Sequence, residues 1–480
     1  MLFYLTGTDQ AMERTVAEMA NFGRNMEKTI SIINGLLKRK QYAQLRGLLL
    51  PMEAPDVAQI FEHLPDQDIP LVFRLLPKES AAELFVELNS DYQEQLIRSF
   101  SNAELKEVLD ELYLDDAVDI VEEMPANVVK RILAHSDPEM RQSINEILKY
   151  PEDSAGSIMT TEYIDLKRDM TVRDCFKRIR RNAADVETIN VCYVLDRDRR
   201  LKGFVTIRDL LMADYEDVVD EIMNPNIIFA TTLEDQETVA QKFRRYGFIA
   251  MPVVDTEQRL VGIITADDVF DVMEEEVTED INKMAAIVPN DKPYLRTGVF
   301  ETWRARFPWL LLLMISATFT GMIINGFESS LAAYTALTAY IPMLTGTGGN
   351  SGSQSSVSVI RGISLGEIQF SDLPRVVWKE SRVSILCGVT LAAANFVKMM
   401  LVDRMLFQNP AITVPIALVI CATLVGTVFA AKVIGCALPM LAKKLGFDPA
   451  VMASPFITTI VDALSLLIYF GFANLILPMG

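Results

Sequence analysis

One carboxylate and one run of glycines stand where the sequence is otherwise apolar. Asp462, in PFITTIVDALSLLIYF, is the one acidic residue well inside a long hydrophobic stretch. The run TGTGGNSGSQSS follows the apolar segment LAAYTALTAYIPML. A carboxylate at bilayer depth costs at least ~2.5–3.5 kcal/mol on insertion scales, so it faces a partner or a water-filled path. Thr458, Thr459 and Ser465 are the neighbours that a purely structural role would use. The glycine run poses the same problem, because each unpaired backbone group in lipid costs several kcal/mol. Close helix packing asks for small residues on one face, whereas residues 346–356 are small and polar on every face. Such a segment belongs at membrane depth only if it is buried in protein or lines water. Glycines there are expected to free backbone carbonyls, and Thr347, Asn350, Ser353 and Gln354 add neutral oxygens. Neutral oxygens with one carboxylate describe a site for a hydrated hard cation, since Mg2+ sheds water reluctantly. Only two histidines are present, His63 and His135, so any metal must be held by oxygen.

A second concentration of carboxylates, ADDVFDVMEEEVTED, carries eight acids in the fourteen residues from Asp267. Asp267–Asp271, Asp271–Glu275, Glu275–Glu279 and Glu276–Asp280 are like-charge pairs at i,i+4, each costing a few tenths of a kcal/mol in a helix. A solvated face is the ordinary reading of such a run. Its place beside an apolar region, without lysines to balance it, favours divalent cations instead.

Charge separates the chain in two. Of 480 residues half are hydrophobic, yet the net charge is −19. Residues 1–300 hold 34 Lys and Arg against 56 Asp and Glu, and residues 301–480 hold 11 against 8. The first part reads as an acidic soluble assembly and the second as a membrane domain. The acidic balance argues against nucleic acid as a partner. Five scattered cysteines without a C-x-x-C argue against a disulfide framework or a thiolate zinc site and fit a reduced compartment. With both histidines in the first 150 residues, no nucleophile–base constellation appears, and the chain is not read as an enzyme.

Elements that would position these groups follow from periodicity. Residues 29–150 read as short helices with Pro, Ser or Asp near their starts, stacked into a superhelix. Residues 151–280 contain a repeat: VLDRDRRLKGFVTIRDLL realigns with VVDTEQRLVGIITADDVF at an offset of 59, and SIMTTEYI with EIMNPNII at 64. Each copy reads strand, turn, strand, helix, with Thr206-x-x-Asp209 or Thr265-x-x-Asp268 opening the helix, a spacing that also makes a capping box. Five candidate spans follow, 308–327, 331–360, 383–402, 411–441 and 455–477. Lys398 and Lys432 are read as lying near span ends, where they snorkel. Arg304, Arg306, Arg361, Arg375, Lys379, Arg382, Lys443 and Lys444 fall on one side, which puts the N-terminus inside and the C-terminus outside.

The repeat resembles a tandem of CBS domains. Together with the acidic helical region, five spans, P-x-L-x-G-T-G-G-N-x-G-x-Q and an acid in the last span, the chain resembles the MgtE family of magnesium channels and transporters over about residues 29–480. The resemblance implies a multidomain protein. Residues 1–28 form an unassigned extension and 29–150 an α-helical superhelix. Residues 151–280 form an α/β CBS pair (151–219 and 220–280), 281–305 a connecting plug helix, and 306–480 an all-α five-helix transmembrane domain. It further implies a homodimer in the bacterial inner membrane, with a pore built from the second and fifth spans. Asp462, Gly346, Gly349, Asn350 and Ser353 are its implied pore residues, Ser353 standing where an asparagine is frequent. Asp116, Asp119, Glu221, Asp268, Asp271, Glu276, Glu279 and Asp280 are its implied regulatory metal ligands. An adenine nucleotide such as ATP at the CBS pair is placed near Thr206, Asp209, Thr265 and Asp268. The implied function is Mg2+ uptake, with Mn2+ or Co2+ as further candidate ions, closed by high cytoplasmic Mg2+. The alternative is a proton-coupled secondary transporter of divalent cations regulated by the CBS pair.

Overall fold

The structure is a computed structural model that describes residues 26–183, 186–289, 294, 297–328, 332, 334–452 and 454–477. Most of the N-terminal extension, residues 1–25, lies outside them. The chain divides into two compact units, Met1–Val269 and Phe270–Gly480.

The first unit opens with α1 (residues 26–38), α2 (Tyr42–Leu49), α3 (Ala54–Phe61), α4 (Ile69–Phe73) and α5 (Lys78–Glu87). It continues through α6 (Ser90–Ser99), α7 (Asn102–Leu109), α8 (Leu114–Glu123), α9 (Ala126–His135) and α10 (Pro138–Ile147). The starts are chemically marked: Asn89, Ser101 and Asp137 accept backbone N–H groups of the first turn, and Pro opens α3, α4 and α10. From α3 onward each helix packs on the one two places further along, as in a superhelix. Phe73, Phe85 and Phe100 anchor one continuous core, the Phe73 and Phe100 rings 5.2 Å apart.

Two three-stranded sheets come next, β1 (Asp165–Lys167), β2 (Val191–Leu195) and β3 (Leu201–Thr206), then β4 (Ala230–Thr231), β5 (Ala250–Val254) and β6 (Leu260–Thr265). In each, the first strand runs parallel to the second and a hairpin brings in the third. The bulges coincide in the repeat, between Val194 and Leu195 and between Val253 and Val254. The intervening helices are α11 (Val172–Asn182), α12 (Ile207–Met212), α13 (Val219–Ile222) and α14 (Gln236–Tyr246). The second offset in the sequence has a structural reason. Met159 and Thr160 lie against Gly262 of the other copy, and Met223 and Asn224 against Gly203. A Cβ on Gly203 or Gly262 would meet methionine sulfur at 2.8 or 2.7 Å, so the repeated glycine admits this exchange of leading segments.

A single helix, α15 (Ala266–Met284), carries the acidic run from the first unit into the second. Within 281–305, where the resemblance implies a plug helix, residues 281–284 close α15, residues 285–289 are not helical and α16 begins at Val299. Beyond α16 (Val299–Gly326) come α17 (Ile341–Ser364), α18 (Leu373–Lys398) with a π-helical continuation Met399–Leu406, α19 (Val414–Lys444) and α20 (Ser454–Ile476). Among the described residues four helices are long and apolar enough to cross a membrane, ending at Gly326, Leu406, Lys444 and Ile476. The expected fifth, α17, has 24 residues, or ~36 Å, but its glycines and hydroxyls keep it below the others in hydropathy.

Candidate ion pathway and acidic cluster

The glycine run does not interrupt its helix. α17 is continuous from Ile341 to Ser364, and the irregular turn lies earlier, as a 3-10 helix over Thr335–Tyr340. The freed carbonyls expected of residues 346–356 are therefore spent within the helix. The glycines admit neighbours instead. A Cβ on Gly348 would stand 2.6 Å from the Thr427 methyl of α19, one on Gly349 2.9 Å from Thr458 of α20, and one on Gly352 2.7 Å from Ile457. At Gly435 a Cβ would lie 2.3 Å from the carbonyl oxygen of Gly352. Close packing, the reading set aside because polarity surrounds the segment, thus accounts for half of its circumference.

The other half is exposed. Pro342, Gly346, Asn350, Gln354 and Ser358 form an i,i+4 ridge on the outside of the subunit, with Ser353 partly covered beside it. Gly346, Asn350 and Ser353, named from the sequence, belong to this side, whereas Gly349 is buried against Thr458. A ridge of amide and hydroxyl groups on a helix of spanning length needs water or protein over it rather than lipid.

Asp462 lies on α20 between the residues that touch α17, Thr458 at Gly349 and Ser465 at Gly348. Its Oδ1 is buried and accepts no hydrogen bond. Two of the hydroxyls that could have held it are used elsewhere: Thr459 donates to Pro455 O at 3.1 Å and Ser465 to Val461 O at 2.6 Å. A half-buried carboxylate with an oxygen left over is suited to an outer-sphere or direct cation contact.

Lys432 departs from expectation. It is 5% exposed in the middle of α19 and does not snorkel; it donates to Ser355 Oγ at 3.3 Å and stands 3.9 Å from Glu380 of α18. Glu380 in turn accepts from Ser355 Oγ at 2.6 Å. Sequence reading missed Glu380 because α18 starts ten residues before the expected span. Lys398, at the end of α18, pairs with Asp403 at 2.8 Å, and Asp403 also accepts from Tyr340 at 2.7 Å.

In the first unit, acids gather where the superhelix meets the CBS pair. Asp115 of α8 is buried, and burial together with Asp268, Asp116 and Glu187 holds its carboxyl well above the usual range. Glu187 is pushed up to about 7 by burial and by Asp267, Asp268, Asp116 and Glu162, and its Oε2 accepts no hydrogen bond. Asp116 and Asp268 thus converge as named from the sequence, while Asp119 and Glu221 are exposed. Asp115 and Glu187 were missed. Asp115 was legible, because it sits on the face of α8 that buries Leu114, Val118 and Val121. Among the described residues no three acidic, histidine or cysteine side chains are close enough to form a ready-made metal site.

Thr206 and Asp209 make both halves of a capping box, and Thr265 donates to Asp268 at 2.5 Å, so these pairs close helix starts. In the second unit the end of α15 is fastened to the end of α17 and to the connection between α19 and α20. Asp280 accepts from Ser364 of α17 at 3.1 Å, and Lys283 pairs with Glu279 at 2.5 Å and Asp448 at 2.6 Å.

Three family models match the chain: the divalent cation transporter domain MgtE at residues 341–472, the MgtE intracellular N domain at 52–153, and the CBS domain at 155–216 and 219–275. The magnesium transporter MgtE of Thermus thermophilus is 38% identical over 457 residues, 94% of this chain and 99% of that protein. That of Bacillus subtilis is 31% identical over 439 residues, 92% and 95% of the two chains. A crystal structure of the cytosolic domain of the Mg2+ channel MgtE in complex with ATP is 37% identical, covering 51% of this chain and 99% of that one, with a TM-score of 0.49. By its sequence over nearly its whole length, the chain belongs to the MgtE family of magnesium transporters.

Proposed function

We propose that this family member is a magnesium-selective channel closed by cytoplasmic Mg2+, and not an enzyme. The observation that carries the reading is Asp462, whose buried Oδ1 lacks a hydrogen bond beside a helix with a polar outer ridge. A homodimer follows from that ridge: two copies facing each other across Gly346, Asn350 and Gln354 would enclose water and remove these groups from lipid. α17 then serves as the fifth span. The basic residues at the start of α16, between α17 and α18 and at the end of α19 support the N-terminal unit inside and the C-terminus outside, in a bacterial plasma membrane.

Closure would use the acidic groups. Like charges at ~4 Å repel by ~4 kcal/mol at an effective dielectric near 20. Mg2+ shared among Asp115, Asp116, Glu187 and Asp268 would relieve this, with Asp271, Glu276, Glu279 and Asp280 further along α15. The contacts of Asp280 and Lys283 with Ser364 and Asp448 tie α15 to the inner ends of α17 and α20, so movement of α15 would act on the ion path. ATP at the CBS pair is carried by the family resemblance alone. Patch recordings test the channel directly: divalent currents that follow the electrochemical gradient, ignore ΔpH and shut as internal Mg2+ rises are expected. Flux that requires a proton gradient would favour the secondary transporter.

A further inference from the structure

We infer that Lys432 and Glu380 are positioning residues for permeation, acting through Ser355 to fix the rotation and depth of α17. The inference rests on α17 lining the ion path.

Three helices meet at one hydroxyl. Ser355, 2% exposed, donates to Glu380 Oε2 of α18 at 2.6 Å and accepts from Lys432 Nζ of α19 at 3.3 Å. The Lys432 and Glu380 side chains are 6% and 15% exposed. Burying such a pair in a membrane domain is costly, and hydrophobic residues of similar volume hold helices together at least as well. What the pair adds is geometry, because a bridged hydroxyl has one acceptor and one donor direction to satisfy.

The bracket sits where it can act. Gly352, one turn before Ser355 on α17, touches α19 at Ala431, next to Lys432, and at Gly435, one turn after it. At that contact the two backbones have no side chain between them, so at this level no side chain between α17 and α19 resists rotation. The hydroxyl bridge supplies that resistance here, beside the packing of Val359 and Ile363 on Cys436 and Met440. Ser353 lies about 200° and Gln354 about 100° around the helix from the buried Ser355, so a turn of α17 that moved Ser355 would carry both around the path.

The test is the Mg2+ over Ca2+ flux ratio of the full chain in proteoliposomes. Two variants are compared, the neutral pair Lys432→Met/Glu380→Gln and Ser355→Ala. Each keeps side-chain volume without leaving a lone buried charge, so folding and oligomeric state should match wild type. The expected result is a fall in the ratio by roughly tenfold or more in both, since displacements near 1 Å suffice for such losses. A wild-type ratio in both variants overturns the inference. If the neutral pair does not fold, Ser355→Ala alone decides by the same criterion. Asp462→Ala is measured alongside. Wild-type flux there removes the pathway itself, whereas lost flux there with unchanged ratios above removes only the bracket.

Discussion

Replacing Gly435 by alanine puts a methyl carbon where the two central helices have no room for one. Its Cβ would stand 2.3 Å from the Gly352 carbonyl oxygen, 3.0 Å from its carbon and 3.1 Å from its Cα, against ordinary contact from 3.4 Å. Every one of these atoms is backbone, so no side chain can swing away. α17 and α19 must separate by roughly 1 Å at this level, or the helices must bend. Overpacking of this kind costs ~1–3 kcal/mol, or roughly 2–12 °C in Tm for a unit of this size. The same separation lengthens the Lys432–Ser355 contact from 3.3 Å to beyond hydrogen-bond range. Thermal unfolding of the detergent-purified protein and Mg2+ uptake in proteoliposomes should therefore fall together. Gly346→Ala is the paired control, because nothing lies within 4 Å of a Cβ there. Its helix should keep or gain stability, by up to ~1 kcal/mol, while any change in flux would report on the exposed ridge. Unaltered Tm and uptake in Gly435→Ala would refute the reasoning, since they would mean that the helices do not meet at these glycines.

Other outcomes follow from the acids. Asp115→Asn replaces a carboxyl that burial keeps protonated up to about pH 9, so at neutral pH it should leave the Tm of the protein in EDTA nearly unchanged and shrink the rise on adding Mg2+, which must displace that proton; equal Mg2+-induced shifts in variant and wild type would contradict this. Because the carboxyls of Asp115 and Glu187 are raised in the folded state, that state binds protons more tightly than the unfolded chain. Their contribution is full below their unfolded values near ~4. It is lost as pH climbs through about 7 for Glu187 and higher for Asp115. Without divalent ions the stability of the first unit should therefore fall between pH 5 and 8, and Mg2+ should flatten the slope; circular dichroism melts across that range check it. Neutralising Asp268, Asp271, Glu276, Glu279 and Asp280 together should leave currents open at high internal Mg2+, whereas single changes shift the midpoint modestly; closure of the combined variant at the wild-type concentration would place the sensor elsewhere.

Local chemistry made much of this legible. Short helices with Pro, Ser and Asp at their starts, and the CBS repeat with its paired Gly203 and Gly262, were readable because caps and close approaches are local demands on residue type. Asp462 was readable because a carboxylate in an apolar run stands out by itself. What escaped depends on helices meeting. The glycines of α17 read from the sequence as freeing backbone carbonyls, but they serve a crossing with Gly435, some eighty residues further along. Lys432 reads from the sequence as a snorkelling end residue because a span beginning at residue 383 leaves Glu380 outside it; only the earlier start of α18 brings the two together. The i,i+4 ridge through Gly346, Asn350 and Gln354 was present in the spacing but hidden by small polar residues on the buried side.

The most direct measurement of the central claim is Mg2+ uptake by Asp462→Ala in proteoliposomes, with Asp462→Asn beside it and with folding and oligomeric state verified. The reading of Asp462 as the ligand in the ion path predicts loss of flux for alanine and partial retention for asparagine, which keeps the shape for contact with a hydrated ion but not the charge. Wild-type uptake by correctly folded Asp462→Ala would contradict it.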